Sequence, residues 1–182
     1  MVDYIISYLR IGPESTILDL GCGRGMYTIR IAKLTGCKYV GVDLNAGYAE
    51  ECKKRAEEHG VQDQGTFYAA SIMDMGEEIV GQRYTHVLIL GVMLFCHGNL
   101  DAFLQGSLRA CCNDDTKVYI WDHARKVNWD LCVNTQRHLK LPHPIMTSEE
   151  VRAAIDRARF KLTKFEDDTK YVIPGYLILT RE

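Results

Sequence analysis

The residues with the strongest chemical character gather around one glycine-rich run, I17-L-D-L-G-C-G-R-G25. Ile17, Leu18 and Leu20 supply an apolar strand. Gly21, Gly23 and Gly25 let the backbone turn tightly and approach a ligand with no Cβ in the way, and Cys22 sits inside that turn. Asp19, near the strand's end, is placed to face the ligand. A second acid, Asp43, closes the apolar stretch K38-Y-V-G-V-D43, where a parallel βαβ unit sets a carboxylate against ribose hydroxyls. Dinucleotides call for G-x-G-x-x-G with a helix amino end on pyrophosphate. Here the spacing is G21-x-G23-x-G25, and the acid beside it repels a pyrophosphate while attracting an ammonium or a sulfonium.

Histidine is the natural base near neutral pH. His97 and His123 follow the carboxyl ends of the expected fourth and fifth strands, the edge where doubly wound sheets bind ligands. Asp122, next to His123, would orient that ring or keep it charged. These three are the catalytic candidates, although both histidines read equally well as surface loop residues. His59 and His86 look structural, at a helix end and inside a strand, and His138 and His143 lie in a segment without clear periodicity. The 7 cysteines include no C-x-x-C pair. They fit reduced, mostly buried thiols rather than disulfides or a structural zinc site, and no metal is expected.

The elements that must position these groups alternate regularly. V2-D-Y-I-I-S-Y-L9 predicts a short lead-in helix, and Met26, Ile29, Ile31, Ala32 and Leu34 mark the apolar face of a helix after the glycine turn. Residues 46–59 carry alternating acids and bases around Tyr48, Ala49, Cys52 and Ala56, an exposed second helix. T66-F-Y-A-A70 is a short strand, and Y84-T-H-V-L-I-L-G91 a central one, apolar because helices cover both its faces. A helix over 100–112 and the strand K117-V-Y-I-W121 follow. From 125 to 147 the chain loses periodicity and reads as a long binding loop or a surface excursion. A helix over 151–159, a strand over 160–165 and a last strand over 176–180 complete it, the final two pairing as an antiparallel hairpin.

Over roughly residues 1–125 this pattern resembles the class I S-adenosylmethionine-dependent methyltransferases. It also resembles the small-molecule, cyclopropane-synthase-like group. The glycine run is similar to that family's motif I, and Asp43 falls on its ribose-binding acid. The resemblance implies an α/β fold: a Rossmann-like, doubly wound, mostly parallel seven-stranded sheet with a final antiparallel strand, in a single domain over 1–182. The cofactor it implies is S-adenosyl-L-methionine. Contacts would come from Asp19, Gly21, Cys22, Gly23, Gly25, Tyr27, Asp43, Leu44, Leu90 and Phe95, with Ser71, Ile72 and Met73 flanking the adenine. Tyr27, Phe95 and Trp121 offer aromatic or carbonyl surface beside a cation, or serve as core aromatics. Trp121, Trp129 and His138 are the expected acceptor contacts.

Departures from the family pattern are visible too. Ser71 stands where the family commonly has Asp, Tyr84-Thr85 where motif IV starts with an aromatic and Asp, and Leu94-Phe95 where cyclopropane-synthase-like members often hold Glu-His. The stretch before the first strand is short beside relatives that add lid helices there, which implies an open, shared or truncated site.

Composition sets the outer bounds. With 182 residues, 47% of them hydrophobic, the chain can bury one sizeable core. A net charge of −2 and the absence of a Lys/Arg stripe argue against nucleic-acid partners. No apolar run approaches membrane-spanning length and the amino terminus is not signal-like. A soluble, cytoplasmic enzyme acting on a small-molecule acceptor is expected, with no membrane partner, and a homodimer is allowed. Two other readings stay open: a non-catalytic S-adenosylmethionine-binding module, and a nicotinamide-dependent reductase.

Overall fold

The computed structural model describes residues 1–92, 96, 98–121, 148–166 and 176–181. The elements are α1 (Val2–Leu9), β1 (Thr16–Leu20), α2 (Met26–Thr35), β2 (Lys38–Asp43), α3 (Ala46–His59), β3 (Gly65–Ala69), α4 (Glu77–Val80) and β4 (His86–Leu90). After these come α5, α-helical over Leu100–Ala102 and π-helical over Phe103–Leu108, then β5 (Lys117–Trp121), α6 (Ser148–Arg157), β6 (Phe160–Glu166) and β7 (Tyr176–Arg181). The expected Rossmann-like α/β fold is present in a parallel sheet of order β3-β2-β1-β4-β5. Beyond β5 the chain adds β7, antiparallel to it, and then β6.

Strand alternation decides what each face buries. Leu18, Leu20, Val40, Val42, Val87, Ile89, Val118 and Ile120 point to one side and pack with α4, α5 and α6. Ile17, Tyr39, Phe67, Leu88 and Tyr119 point to the other and pack with α1, α2 and α3. The central strands are therefore apolar on both faces. The reversal of connection direction falls between β1 and β4, so their carboxyl ends open a crevice at that switch point.

Several expected details are corrected. Of the expected apolar face of α2, Ile29, Ile31 and Ala32 are buried, together with Thr28, whereas Met26 and Leu34 are 63% and 56% exposed. Helical periodicity alone weighted Met26 as core, but it opens the first turn beside the crevice. The fourth strand starts at His86, not Tyr84. Tyr84 turns inward, and its hydroxyl donates to the Ile79 carbonyl (2.8 Å). The helix expected over 100–112 is interrupted by its π-helical stretch, where Ser107 Oγ donates to the Met73 carbonyl (3.0 Å). That bond joins α5 to the loop after β3. No helix among the described residues is long and apolar enough to cross a membrane.

His86 is structural, as its place in a strand implied. It is buried, with Nε2 3.0 Å from the Leu9 carbonyl and Nδ1 2.8 Å from Thr85 Oγ1, so it fastens the end of α1 to β4. Burial is the main cause holding its pKa below the usual 6.5, with nearby Lys117 adding to it and the Leu9 contact opposing. A group with a depressed folded pKa stays neutral in the native state while the unfolded chain protonates. Its contribution is complete above pH 6.5 and is lost as pH falls below that value. In paired thermal melts, His86→Gln should show a shallower stability loss than wild type between neutral and acid pH. Parallel curves would rule this assignment out.

Candidate functional site

The glycine turn forms where β1 ends because its three glycines all take left-handed backbone: φ is 76° at Gly21, 53° at Gly23 and 68° at Gly25. Side chains are disfavoured there. At Gly21 a Cβ would also lie 2.6 Å from Val92 Cγ2, so no larger residue fits that corner. The Gly21 and Cys22 N–H groups both donate to the Val42 carbonyl, at 2.8 and 3.0 Å. Gly25 then caps the start of α2.

Asp43, at the carboxyl end of β2, accepts from the Gly23 N–H through Oδ2 (2.8 Å) and from the Asn45 N–H through Oδ1 (3.0 Å). One carboxylate thus holds the middle of the glycine turn and the start of α3. Each oxygen keeps a lone pair for a ligand hydroxyl.

Asp19 is 2% exposed. Its Oδ2 accepts the Thr28 hydroxyl, whereas Oδ1 has no hydrogen-bond partner. Burial pushes its carboxyl up to about 6; the Thr28 bond opposes that rise and the Asp43 charge adds to it. An orphaned buried carboxylate oxygen is costly. Asp19 is one of the residues lining a cleft of about 340 Å³, walled also by the glycine turn, Met26, Tyr27, Tyr48 and Leu90. A cationic donor entering that cleft would supply the partner Oδ1 lacks. At the rim the Arg24 guanidinium lies 5.5 Å from the centre of the Tyr48 ring and pairs with Glu51 (3.5 Å).

The structure brings Asp19, Gly21, Cys22, Gly23, Tyr27 and Leu90 together around the cleft. Gly25 and Asp43 are not part of that lining: Gly25 ends the turn at the start of α2, and Asp43 holds it through the Gly23 N–H. Leu44, immediately after Asp43, is 78% exposed, and Met73 is 37% exposed. Ser71 Oγ accepts from the Met73 N–H (3.2 Å), so part of its capacity serves its own loop. Ile72 packs partly into the core beneath α4 and α5. Trp121 ends β5, packs against the α1–α3 side of the core, and its carbonyl accepts from the Gly91 N–H (2.7 Å). Phe95, His97, Asp122, His123, Trp129 and His138 lie outside the described residues, as does the 125–147 connection.

Sequence reasoning missed Thr28, Cys52, Arg24 and Tyr48. Thr28 carried one usable signal, a hydroxyl at a position where α2 turns toward β1. Cys52 Sγ donates to the Gly23 carbonyl (3.3 Å) from α3, a contact across 29 residues that no local pattern marks.

A parallel sheet with a glycine turn at its switch point, an acid after β2 and an unpaired acid lining the cleft defines a Rossmann-like domain built for a nucleoside cofactor bearing a cation. The chain belongs to the methyltransferase-domain family, whose model matches residues 17–114. Among curated proteins it is similar to geranyl diphosphate 2-C-methyltransferase of Streptomyces lasalocidi, with 34% identity over 73 residues, 40% of this chain and 24% of that protein. It is also similar to the 23S rRNA (uracil(1939)-C(5))-methyltransferase RlmD of Xanthomonas axonopodis pv. citri, at 33% identity over 40% of this chain and 16% of that protein. These matches span a quarter or less of the relatives' lengths. Among solved structures, geranyl diphosphate C-methyltransferase from Streptomyces coelicolor, in complex with Mg2+, geranyl diphosphate and S-adenosyl-L-homocysteine, superposes with a TM-score of 0.82. That alignment has 14% identity and covers all of this chain and 76% of that one. The [4+2]-cyclase SpnF shares the fold as well, with a TM-score of 0.78 at 14% identity over 98% of this chain and 79% of that one.

Proposed function

We propose that this protein is an S-adenosyl-L-methionine-dependent methyltransferase acting on a small-molecule acceptor. The observation that carries the proposal is Asp19, which lines the glycine-turn cleft and has an unpartnered buried Oδ1, together with membership of the methyltransferase-domain family. S-adenosyl-L-methionine, when bound, supplies a methyl carbon already activated by a positive sulfur. The chain's own work is then positioning. Asp19 accepts from the ligand's ammonium, Asp43 accepts from ribose hydroxyls while bracing Gly23, and Leu44, Ile72 and Met73 offer apolar surface for the adenine, with Ser71 beside them. Tyr27 and Leu90 line the cleft and keep water from the sulfonium side. His97, His123 and Asp122 are the proposed proton-handling groups, and Trp121, Trp129 and His138 the proposed acceptor contacts.

In finer detail, the reading takes residues 1–182 as one methyltransferase domain with a seven-stranded sheet closed by a final antiparallel strand, supported by the β5–β7 pairing. It sets the protein in the cytoplasm, in keeping with the thiols of Cys22, Cys37, Cys52 and Cys111 among the described residues, and allows a homodimer. An allylic diphosphate is the first acceptor to try, because geranyl diphosphate methyltransferases recur among both the curated relatives and the solved structures.

Titration calorimetry with S-adenosylmethionine, S-adenosylhomocysteine and NADH tests the cofactor assignment. The two adenosyl ligands should bind and NADH should not; binding of NADH alone would sink the proposal. Methyl release from labelled cofactor, over a panel of small acceptors and an rRNA fragment, then separates a small-molecule enzyme from an RNA enzyme. The absence of turnover on every acceptor would favour a non-catalytic binding module.

A further inference from the structure

Two cysteines meet beneath the glycine turn. Cys22 lies within the turn and lines the cleft, and Cys52 is fully buried on the facing side of α3. Both sulfurs reach the same carbonyl, Gly23 O, at 3.8 and 3.3 Å, and each thiol is the largest influence on the other's acidity. The space they fill is kept open by glycine: a Cβ at Gly25 would come within 3.0 Å of Cys52 Sγ, and one at Gly41 within 3.1 Å of Cys22 Sγ. Cys22 above all, and Arg55 one turn along α3, favour a thiolate at Cys52, while burial opposes it. Cys52 first, then burial and the neighbouring acids Asp19 and Asp43, hold Cys22 in its protonated form. The turn they underlie is the one whose middle N–H is held by Asp43.

We propose that Cys22 and Cys52 form a reversible oxidation site, in which a hydroperoxide entering the cleft converts the two thiols to a disulfide that closes the cradle to its cofactor. Cys22 presents the sulfur that borders the cleft. Its proton passes to the departing oxygen as its sulfur attacks the other peroxide oxygen; the O–O bond breaks, leaving a sulfenic acid and releasing an alcohol, or water from hydrogen peroxide. Cys52 sulfur then displaces the hydroxyl, which departs with the Cys52 proton as water. Two thiols and one peroxide give one disulfide, and the peroxide is reduced by two electrons. Bonding brings the two sulfurs to about 2.05 Å. The Gly23 carbonyl loses both thiol contacts and the turn is pulled toward α3.

The effect on ligand binding rests on the cofactor assignment above, whereas formation of the disulfide does not. The purified full chain is treated with hydrogen peroxide, blocked with an alkylating agent and digested. A linked peptide pair containing Cys22 and Cys52, lighter by two hydrogens and split by dithiothreitol, is expected. The oxidised protein should bind S-adenosylhomocysteine at least about tenfold more weakly, with recovery on reduction. Cys22→Ser and Cys52→Ser should each keep their affinity after peroxide, with circular dichroism confirming that they fold. Failure to find the linked pair in wild type overturns the proposal, as does a disulfide that leaves affinity unchanged. Should the reduced wild type bind no adenosyl ligand at all, the cofactor assignment fails while peptide mapping still decides whether the site oxidises.

Discussion

Replacing Asp19 by Asn should make the ligand-free protein more stable and its cofactor binding weaker. With its pKa raised from 3.8 to about 6 by burial, the ionised carboxylate opposes folding by roughly 3 kcal/mol at pH well above 6. The sign follows from the shift: a raised folded pKa gives a stabilising contribution that is complete below 3.8 and lost as pH rises through about 6. Asn keeps an oxygen for the Thr28 hydroxyl and carries no charge. Urea unfolding at pH 8 should therefore show a gain of up to roughly 3 kcal/mol for the variant, shrinking toward zero as pH approaches 4. Calorimetry should show S-adenosylmethionine affinity down by about 1.5 to 3 kcal/mol, the scale of a hydrogen bond to a charged group. Wild-type affinity should itself fall as pH drops below 6, and the variant's should not. If Asp19→Asn were destabilised equally at every pH, Asp19 would be an ordinary neutral core acid. The cost carried by the ligand-free protein matches the general pattern in which binding sites hold unsatisfied groups that a ligand completes.

The second large effect is expected at Asp43. Its two oxygens accept from two separate backbone donors, the Gly23 and Asn45 N–H groups. Alanine removes both acceptors and the proposed ribose partner, so adenosyl-ligand affinity should fall by about 1.5 to 3 kcal/mol. Asn is the sharper test. Its amide offers one oxygen and one NH2, so one backbone N–H must face a donor. Asp43→Asn should therefore fail to rescue, and amide hydrogen exchange at Gly23 and Asn45 should quicken in both variants. Rescue by Asn would show that the carboxylate acts on the ligand alone, without bracing the turn.

Much of this site could be read from residue order because its parts are local. The glycine spacing, Asp19 two residues before it and Asp43 at the next strand end are each fixed by one short segment, and strand alternation places both acids at one sheet edge. What stayed hidden is made by distant pairs. The Thr28 hydroxyl bonds Asp19 because α2 folds back along β1, and Cys52 reaches Gly23 because α3 packs beside the turn. Met26 misled because an apolar residue at helical spacing looks the same whether it faces a core or a cleft. The insertion of β7 between β5 and β6 was equally illegible, since a hairpin pattern fixes the pairing of its strands but not which of them meets the sheet.

That insertion has a bearing on biosynthesis. β5 ends at Trp121, while its outer neighbour β7 begins only at Tyr176. At ribosomal speeds of about 5 to 20 residues per second, the hydrogen-bonding edge of β5 waits roughly 3 to 11 seconds for its partner. The waiting strand is K117-V-Y-I-W121, mostly apolar and β-prone, the composition that templates intermolecular pairing. Nascent chains stalled between these two strands should therefore be the form of this protein most dependent on chaperones.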